Sequence, residues 1–267
     1  GNNTAEQGTP NNRPTYTAIS SLNSLPAITF NGLATAADNG DWLYLPPAVF
    51  NKNNGSLFVI SRQTNNTEYE DIAFYVTERN SLTATTTYNG YSNTGSDIME
   101  IHLGNNGSSF SYQDGPNDRA IGFGATTNQN LISRVNWDRT STLSMRTTLD
   151  TRQDSSDLTA VTGTQTPGMV LLGRPASNAS FDRFFDGEIA EVILFDTTLT
   201  EQQSNQVLED LLVKYNIDYP YNSWRAPSAD NASVTNNWLR FKAPSATTQV
   251  AFDSNSSADA SWDASAA

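Results

Sequence analysis

Sulfur offers this chain no chemistry beyond methionine, and imidazole offers little. Cysteine is absent, which removes a thiolate nucleophile, a disulfide framework and a cysteine metal site. One histidine, His102, is present. A multi-histidine metal centre is therefore excluded, and a Ser-His-Asp triad would have to use this residue. No nucleophile-elbow sequence accompanies it, so His102 reads as a strand-surface residue. What remains are carboxylates, amides and tyrosines. Tyr88, Asn89, Tyr91 and Asn93 lie close together in a polar stretch, and Tyr112 and Asp114 follow a short strand. Such residues suit glycans, because ring faces stack on the apolar faces of sugars while Asn and Asp fix hydroxyls. Packing of the loops on themselves is the structural alternative. Two further loops gather oxygen ligands of the kind calcium takes: Asp38-Asn39-Gly40-Asp41, and Asp114-Gly115-Pro116-Asn117-Asp118. The candidate ligands are Asp38, Asp41, Asp114, Asn117 and Asp118. Neither loop has the EF-hand spacing, and Asx turns explain both equally well.

Short strands must position these loops. Apolar and β-branched runs recur at Ala27–Gly32, Trp42–Leu45, Ser56–Arg62, Asp71–Thr77, Asp97–Leu103, Leu131–Trp137 and Gly168–Arg174, separated by Gly, Asn and Asp. Others are expected around Phe110–Tyr112, Arg119–Gly124 and Thr142–Leu149. Trp42, Phe58 and Trp137 fall within such runs and read as core. Arg152–Asp157 reads as a charged turn. Many short strands without alternating helices indicate an antiparallel sandwich. One helix is expected. It starts at Thr200, where Thr-Glu-Gln-Gln gives an N-cap and a glutamine three residues on. Val207, Leu208, Leu211, Leu212 and Tyr215 then fall on one face. The strand just before it, Glu188–Phe195, is almost wholly apolar. Its two acids, Glu188 and Glu191, are three apart, so strict alternation points them to opposite faces and makes them a poor catalytic pair.

The chain has 267 residues, a net charge of −13 and three lysines. An acidic surface with so few lysines argues against wrapping nucleic acid or docking on anionic membranes. Residues 1–24 carry little apolar content and read as an extended N-terminal arm. Residues 25–217 form the sandwich. Residues 218–267 read as a C-terminal tail or small β extension. Its aromatic residues Tyr219, Tyr221, Trp224 and Trp238 stand among prolines and polar residues. Such residues anchor contacts between chains or pack back on the chain's own sandwich.

Several segments taken together resemble the concanavalin A-like lectin/glucanase superfamily, in its laminin-G-like jelly-roll branch. They are Pro26–Gly32, Trp42–Leu45, Ser56–Arg62, Val170–Arg174, and above all Phe185-Asp186-Gly187-Glu188-Ile189-Ala190-Glu191-Val192 running into Leu199-Thr200-Glu201 and the helix. The resemblance covers roughly residues 25–217. It implies two facing antiparallel sheets of about six or seven strands each, with one short C-terminal helix. It does not imply one function, because this fold hosts lectins, glycosidases, adhesion modules and decoration proteins.

The resemblance also bears on catalysis. Laminarinase-like glycosidases of this superfamily carry Glu-x-Asp-x-x-Glu on one strand, with the carboxylates on one face. In Gly95-Ser96-Asp97-Ile98-Met99-Glu100, Asp97 and Glu100 match the second and third acids, but Gly95 stands where the nucleophile belongs. A retaining mechanism needs two carboxyl groups about 5–5.5 Å apart, so no catalytic set is assigned. The sequence reads as a non-enzymatic extracellular or virion-surface module that binds glycans or partner proteins. A self-assembling surface, capsid or filament subunit is one alternative. A glycoside hydrolase or lyase with an atypical acid pair is another. Calcium is the one cofactor that the loops suggest.

Overall fold

The computed structural model describes residues 5–8, 10–32, 40–64, 71–77, 97–103, 108–113, 118–123, 128–140, 142–147, 150–157, 166–173, 184–217, 221–224, 230–231, 249–252 and 260–261. In chain order the strands of the two main sheets are β1 (Thr15–Thr17), β2 (Ala27–Phe30), β3 (Leu43–Leu45), β4 (Asn54–Gln63), β5 (Asp71–Thr77), β6 (Asp97–Leu103), β7 (Ser108–Gln113), β8 (Asp118–Phe123), β9 (Leu131–Asp138), β10 (Thr142–Thr147), β11 (Asp150–Asp157), β12 (Met169–Leu172) and β13 (Gly187–Phe195). Then come α1 (Glu201–Lys214), β14 (Tyr221–Trp224), β15 (Asp230–Asn231), β16 (Gln249–Phe252) and β17 (Ala260–Ser261).

The fold is an all-β sandwich with one α-helix among the described residues. One sheet has seven strands in the order β1-β2-β13-β4-β9-β10-β11, and the other six in the order β3-β12-β5-β6-β7-β8. The strand pairs of the two sheets run antiparallel. Several neighbours within a sheet are distant in sequence, as when β13 lies between β2 and β4. A jelly-roll-like course has this property, since strands alternate between sheets.

Register decides which residues share a face. On the seven-stranded sheet Phe30 pairs with Gly187, and Gly187 with Gln63. Phe30 therefore shares a face with Ile189, Leu57, Val59, Ser61, Leu131, Ser133, Val135 and Trp137. A Cβ placed on Gly173, just after β12, would lie 2.5 Å from Phe30 Cδ1. This face is consequently turned toward the six-stranded sheet. Trp137 sits on it fully buried, stacked on Phe50 with ring centroids 5.2 Å apart. Its Nε1–H donates to the Asn51 carbonyl at 3.0 Å.

The central strands β4 and β9 are buried on both faces. Phe58, Ile60, Ile132 and Arg134, on the face opposite Phe30, are all at most 2% exposed. Phe58 and Trp137 are thus core residues. On this second face the Ser56 hydroxyl accepts the Leu199 N–H at 2.9 Å, and the Thr198 hydroxyl donates to the Trp137 carbonyl at 2.6 Å.

Two local expectations change, and the N-terminal arm is seen to pair with the sheets. Arg152–Asp157 belongs to strand β11 rather than to a charged turn. A polar strand beside β10 is held by its main-chain ladder and carries no apolar signal to announce it. Upstream of Ala27, Thr15–Thr17 already forms a strand, paired with β2, and Glu6 bridges to Tyr44. Finally, Glu188 and Glu191 lie on the same face. Glu188 pairs with Arg62 and Glu191 with Ile60, with the register shifting between Ile189 and Glu191. The extra residue, Ala190, is a β-bulge, and a bulge resets the alternation on which the opposite-face expectation rested.

The chain divides into two compact units. One comprises residues 1–147 and 153–199, the other residues 148–152 and 200–267. Within the second unit, α1 has the expected capping box: the Thr200 hydroxyl accepts the Gln203 N–H at 3.3 Å, and the Gln203 amide oxygen accepts the Thr200 N–H at 2.9 Å. Leu208, Leu211, Leu212 and Tyr215 are buried along one side. Just past the Tyr215 C-cap, Asn216 has a φ of 48°, the left-handed conformation common beyond a helix C-terminus. The remaining strands of this unit pair in parallel, β14 with β16 and β15 with β17.

Candidate functional site

The best-defined chemical feature lies across the six-stranded sheet. Tyr44 pairs with Leu171, Leu171 with Tyr75, Tyr75 with Glu100, Glu100 with Ser111, and Ser111 with Ala120. These six residues form one transverse row, a single position from each of the six strands. Val170, Leu172, Phe74, Val76, Met99 and Ile101 stand on the opposite face. These six are apolar and buried, as the core side of a sandwich requires. Tyr75 and Leu171 instead form a cluster of their own with Trp42 and Tyr44 packed against it.

Glu100 is 7% exposed, and its cross-strand neighbour Tyr75 is 1% exposed. A carboxylate so withdrawn from water is costly unless it is bonded within the protein. Asp97 shares the face of Glu100 by register, although the two are three residues apart. Thr77 pairs with Asp97 and Tyr75 with Glu100, with a register shift between Val76 and Thr77. The additional residue is Ile98. A bulge therefore restores at this strand the same-face arrangement of the second and third acids of the glycosidase pattern. Gly95 and Ser96 lie outside the described residues.

The other candidates are placed as follows. His102 occupies a ladder position opposite Ile72 and Ser109. Tyr112 pairs with Met99 and Arg119, and Asp118 opens β8 opposite Gln113. Tyr88, Asn89, Tyr91, Asn93, Asp114, Asn117 and Asp38 lie outside the described residues. Asp41 is described and closes the loop between β2 and β3. Its Oδ2 accepts the Asn31 N–H at 2.8 Å, and its own N–H donates to the Asn31 carbonyl at 2.9 Å. At the loop's end Asn12 Nδ2 donates to the Gly40 carbonyl at 2.7 Å, and the Trp42 N–H donates to the Asn12 carbonyl at 3.1 Å. Trp42 is half-buried in the Tyr75–Leu171 cluster rather than in the main core. Tyr221 and Trp224 lie on β14, paired with Gln249 and Phe252. Tyr219 and Trp238 lie outside the described residues. Among the described residues no group of three or more His, Asp or Glu side chains is arranged to hold a metal ion.

Residue-type reasoning misses Tyr44, Tyr75 and Leu171 as the company of Glu100. The available signal is the period-2 pattern of Asp71–Thr77, which separates Tyr75 from Phe74 and Val76.

No family model matches the sequence, and no curated protein matches it. The fold is similar to solved receptor-binding domains of botulinum neurotoxins. One is the serotype D ligand binding domain in complex with N-acetylneuraminic acid, with a TM-score of 0.53, 12% identity, and 78% of this chain and 46% of that chain covered. Another is the binding domain of neurotoxin DC in complex with rat synaptotagmin II, with a TM-score of 0.53, 10% identity, and 78% and 46% coverage. A third is the serotype G binding domain, with a TM-score of 0.54, 10% identity, and 79% and 46% coverage. The chain spans less than half the length of the domains it matches. At such identities the likeness is one of fold. Among the described residues no helix is long and apolar enough to cross a membrane.

Proposed function

We propose that this chain is a non-enzymatic recognition module, displayed outside the cell or on a virion surface, that binds glycans or partner proteins. The observation that carries the reading is the shared fold with binding domains. One of those is in complex with N-acetylneuraminic acid and another with rat synaptotagmin II, a protein. The net charge of −13 supports it by disfavouring nucleic acid and anionic membranes. The recessed position of Glu100 supports it against hydrolysis.

In this reading the concanavalin A-like, laminin-G-like resemblance accounts for residues 25–217, flanked by an arm at 1–24 and an extension at 218–267. Ligand recognition is assigned to loops rather than to the buried row. The glycan platform is Tyr88, Asn89, Tyr91 and Asn93 with Tyr112 and Asp114. Calcium, if required, is held by carboxylates of Asp38, Asp41, Asp114 and Asp118 with Asn117.

A glycan array run with and without calcium, in parallel with capture of candidate receptor proteins, tests the proposal. Selective binding that weakens in Tyr88→Ala and Tyr91→Ala is the expected result. Absence of binding to glycans and to proteins under both conditions would remove it.

Self-association is the second reading. It is favoured by Tyr16, 64% exposed on the outermost strand β1, and by Ile19, 75% exposed just beyond it. An outer strand with exposed apolar side chains is a template for pairing with another chain. Sedimentation that shows a monomer at all concentrations would exclude this reading.

A further inference from the structure

Beside the buried amide of Gln63, two hydroxyls interrupt the apolar interior of the sandwich. Ser61 on β4 and Ser133 on β9 are each 0% exposed. Val59 pairs with Ser133 and Ser61 with Leu131, so the two serines are diagonal neighbours on one face. It is the face shared with Phe30, turned toward the six-stranded sheet. Neither Oγ makes a hydrogen bond to any described residue. Along the same face the flanking positions are Leu57, Val59, Leu131, Val135 and Trp137, all larger than serine.

A buried hydroxyl without a partner costs on the order of 1–3 kcal/mol, and two such costs side by side are not expected in a stable core. Diagonal positions of an antiparallel pair lie about 7–8 Å apart between Cα atoms, too far for the backbone to close the gap. One bridging molecule with two hydrogen-bonding directions meets both hydroxyls. Each serine is smaller than the Leu, Val and Trp around it, and the bridging molecule of that size is a water, whose share of liquid volume is about 30 Å³.

We propose that Ser61 and Ser133 jointly bind one internal water molecule between the sheets, and that this buried hydration site fixes the β4–β9 register. A slip of one residue between the strands would turn one serine away from the other and leave the remaining hydroxyl in the apolar interior. The register of the central strand pair in turn sets the faces of β13 and β2 beside it.

A high-resolution crystal structure of the intact chain tests the geometry. One water within hydrogen-bond distance of both Oγ atoms is expected. The hydroxyls bonded to each other or to main-chain carbonyls, or no water peak touching both, would overturn the proposal. Unfolding equilibria of Ser61→Ala, Ser133→Ala and the double variant test the coupling. Each single variant is expected to shift the unfolding constant about tenfold. The double variant is expected to shift it no further, because the second substitution removes a group already deprived of its shared partner. Shifts that multiply to about a hundredfold in the double variant would show independent hydroxyls and overturn it. The wild-type structure decides the geometry even where a variant folds poorly.

Discussion

The main-chain N–H of Ser21 donates to Glu188 Oε2 at 2.9 Å, across 167 residues of sequence. Glu188 is 8% exposed on β13, beside Arg62 on β4. Arg62 Nη1 donates to Asn130 Oδ1 at 3.0 Å, and Asn130 Nδ2 reaches back to the Ser21 carbonyl at 3.4 Å. The loop after β1 is thus strapped to the sheet at both the N–H and the carbonyl of one residue. Leu22, next in the chain, is fully buried. An acid of the motif that carries the family resemblance works here as a fastening.

Loss of that fastening should be measurable. Glu188→Ala is expected to destabilise the fold by roughly 1.5–3 kcal/mol, the range for a hydrogen bond to a charged group. Glu188→Gln keeps an acceptor oxygen and is expected to cost less. Urea denaturation reports both. Equal stability of the alanine variant and the wild type would show that the strap carries no net energy.

The contact between the sheets at Gly173 should tolerate no side chain. Its φ is +85°, and an added Cβ would lie 2.5 Å from Phe30 Cδ1 and 2.9 Å from the Asp41 carbonyl oxygen. Gly173→Ala is expected to cost about 2 kcal/mol or more, since alanine is strained at positive φ and also collides. A melting temperature within a degree or so of wild type, where this cost predicts a shift of roughly 4 °C or more, would contradict the geometry.

The capping box at the start of α1 gives a third expectation. Thr200→Ala removes the oxygen that accepts the Gln203 N–H and is expected to cost about 1 kcal/mol. Gln203→Ala removes the reciprocal bond. Because each bond orders the other's side chain, the double variant should lose less than the sum of the two. A strictly additive double variant would mean that the two bonds act separately.

For the acids of β6, no turnover is expected from the wild-type chain on a panel of polysaccharides, because Gly95 supplies no nucleophile and Glu100 is recessed. Turnover that disappears in both Glu100→Gln and Asp97→Asn would reinstate a hydrolase. The bulge at Ile98, which puts the two positions on one face, would then be its structural basis.

The all-β character, the helix with its cap, and most strands of the central sheets are legible in the sequence. These features rest on local physics: β-branched and aromatic runs between turn residues, and a Thr-x-x-Gln box before an apolar stripe. The polar strand β11 is not legible, because a main-chain ladder leaves no mark in side-chain polarity. Alternation misplaces the faces of Glu188 and Glu191 for a related reason. It is a rule for unbroken strands, and the inserted residues Ala190 and Ile98 are bulges that become visible only against the partner strand's register. Likewise, nothing in the local sequence brings Tyr44, Leu171, Tyr75 and Glu100 into one row or places Ser61 beside Ser133. Residue types and their near neighbours suffice to mark most segments as strand or helix, because those preferences act over a few positions. Which strands meet, and in what register, is settled only in the folded chain, because hydrogen bonding between distant segments depends on all of them at once.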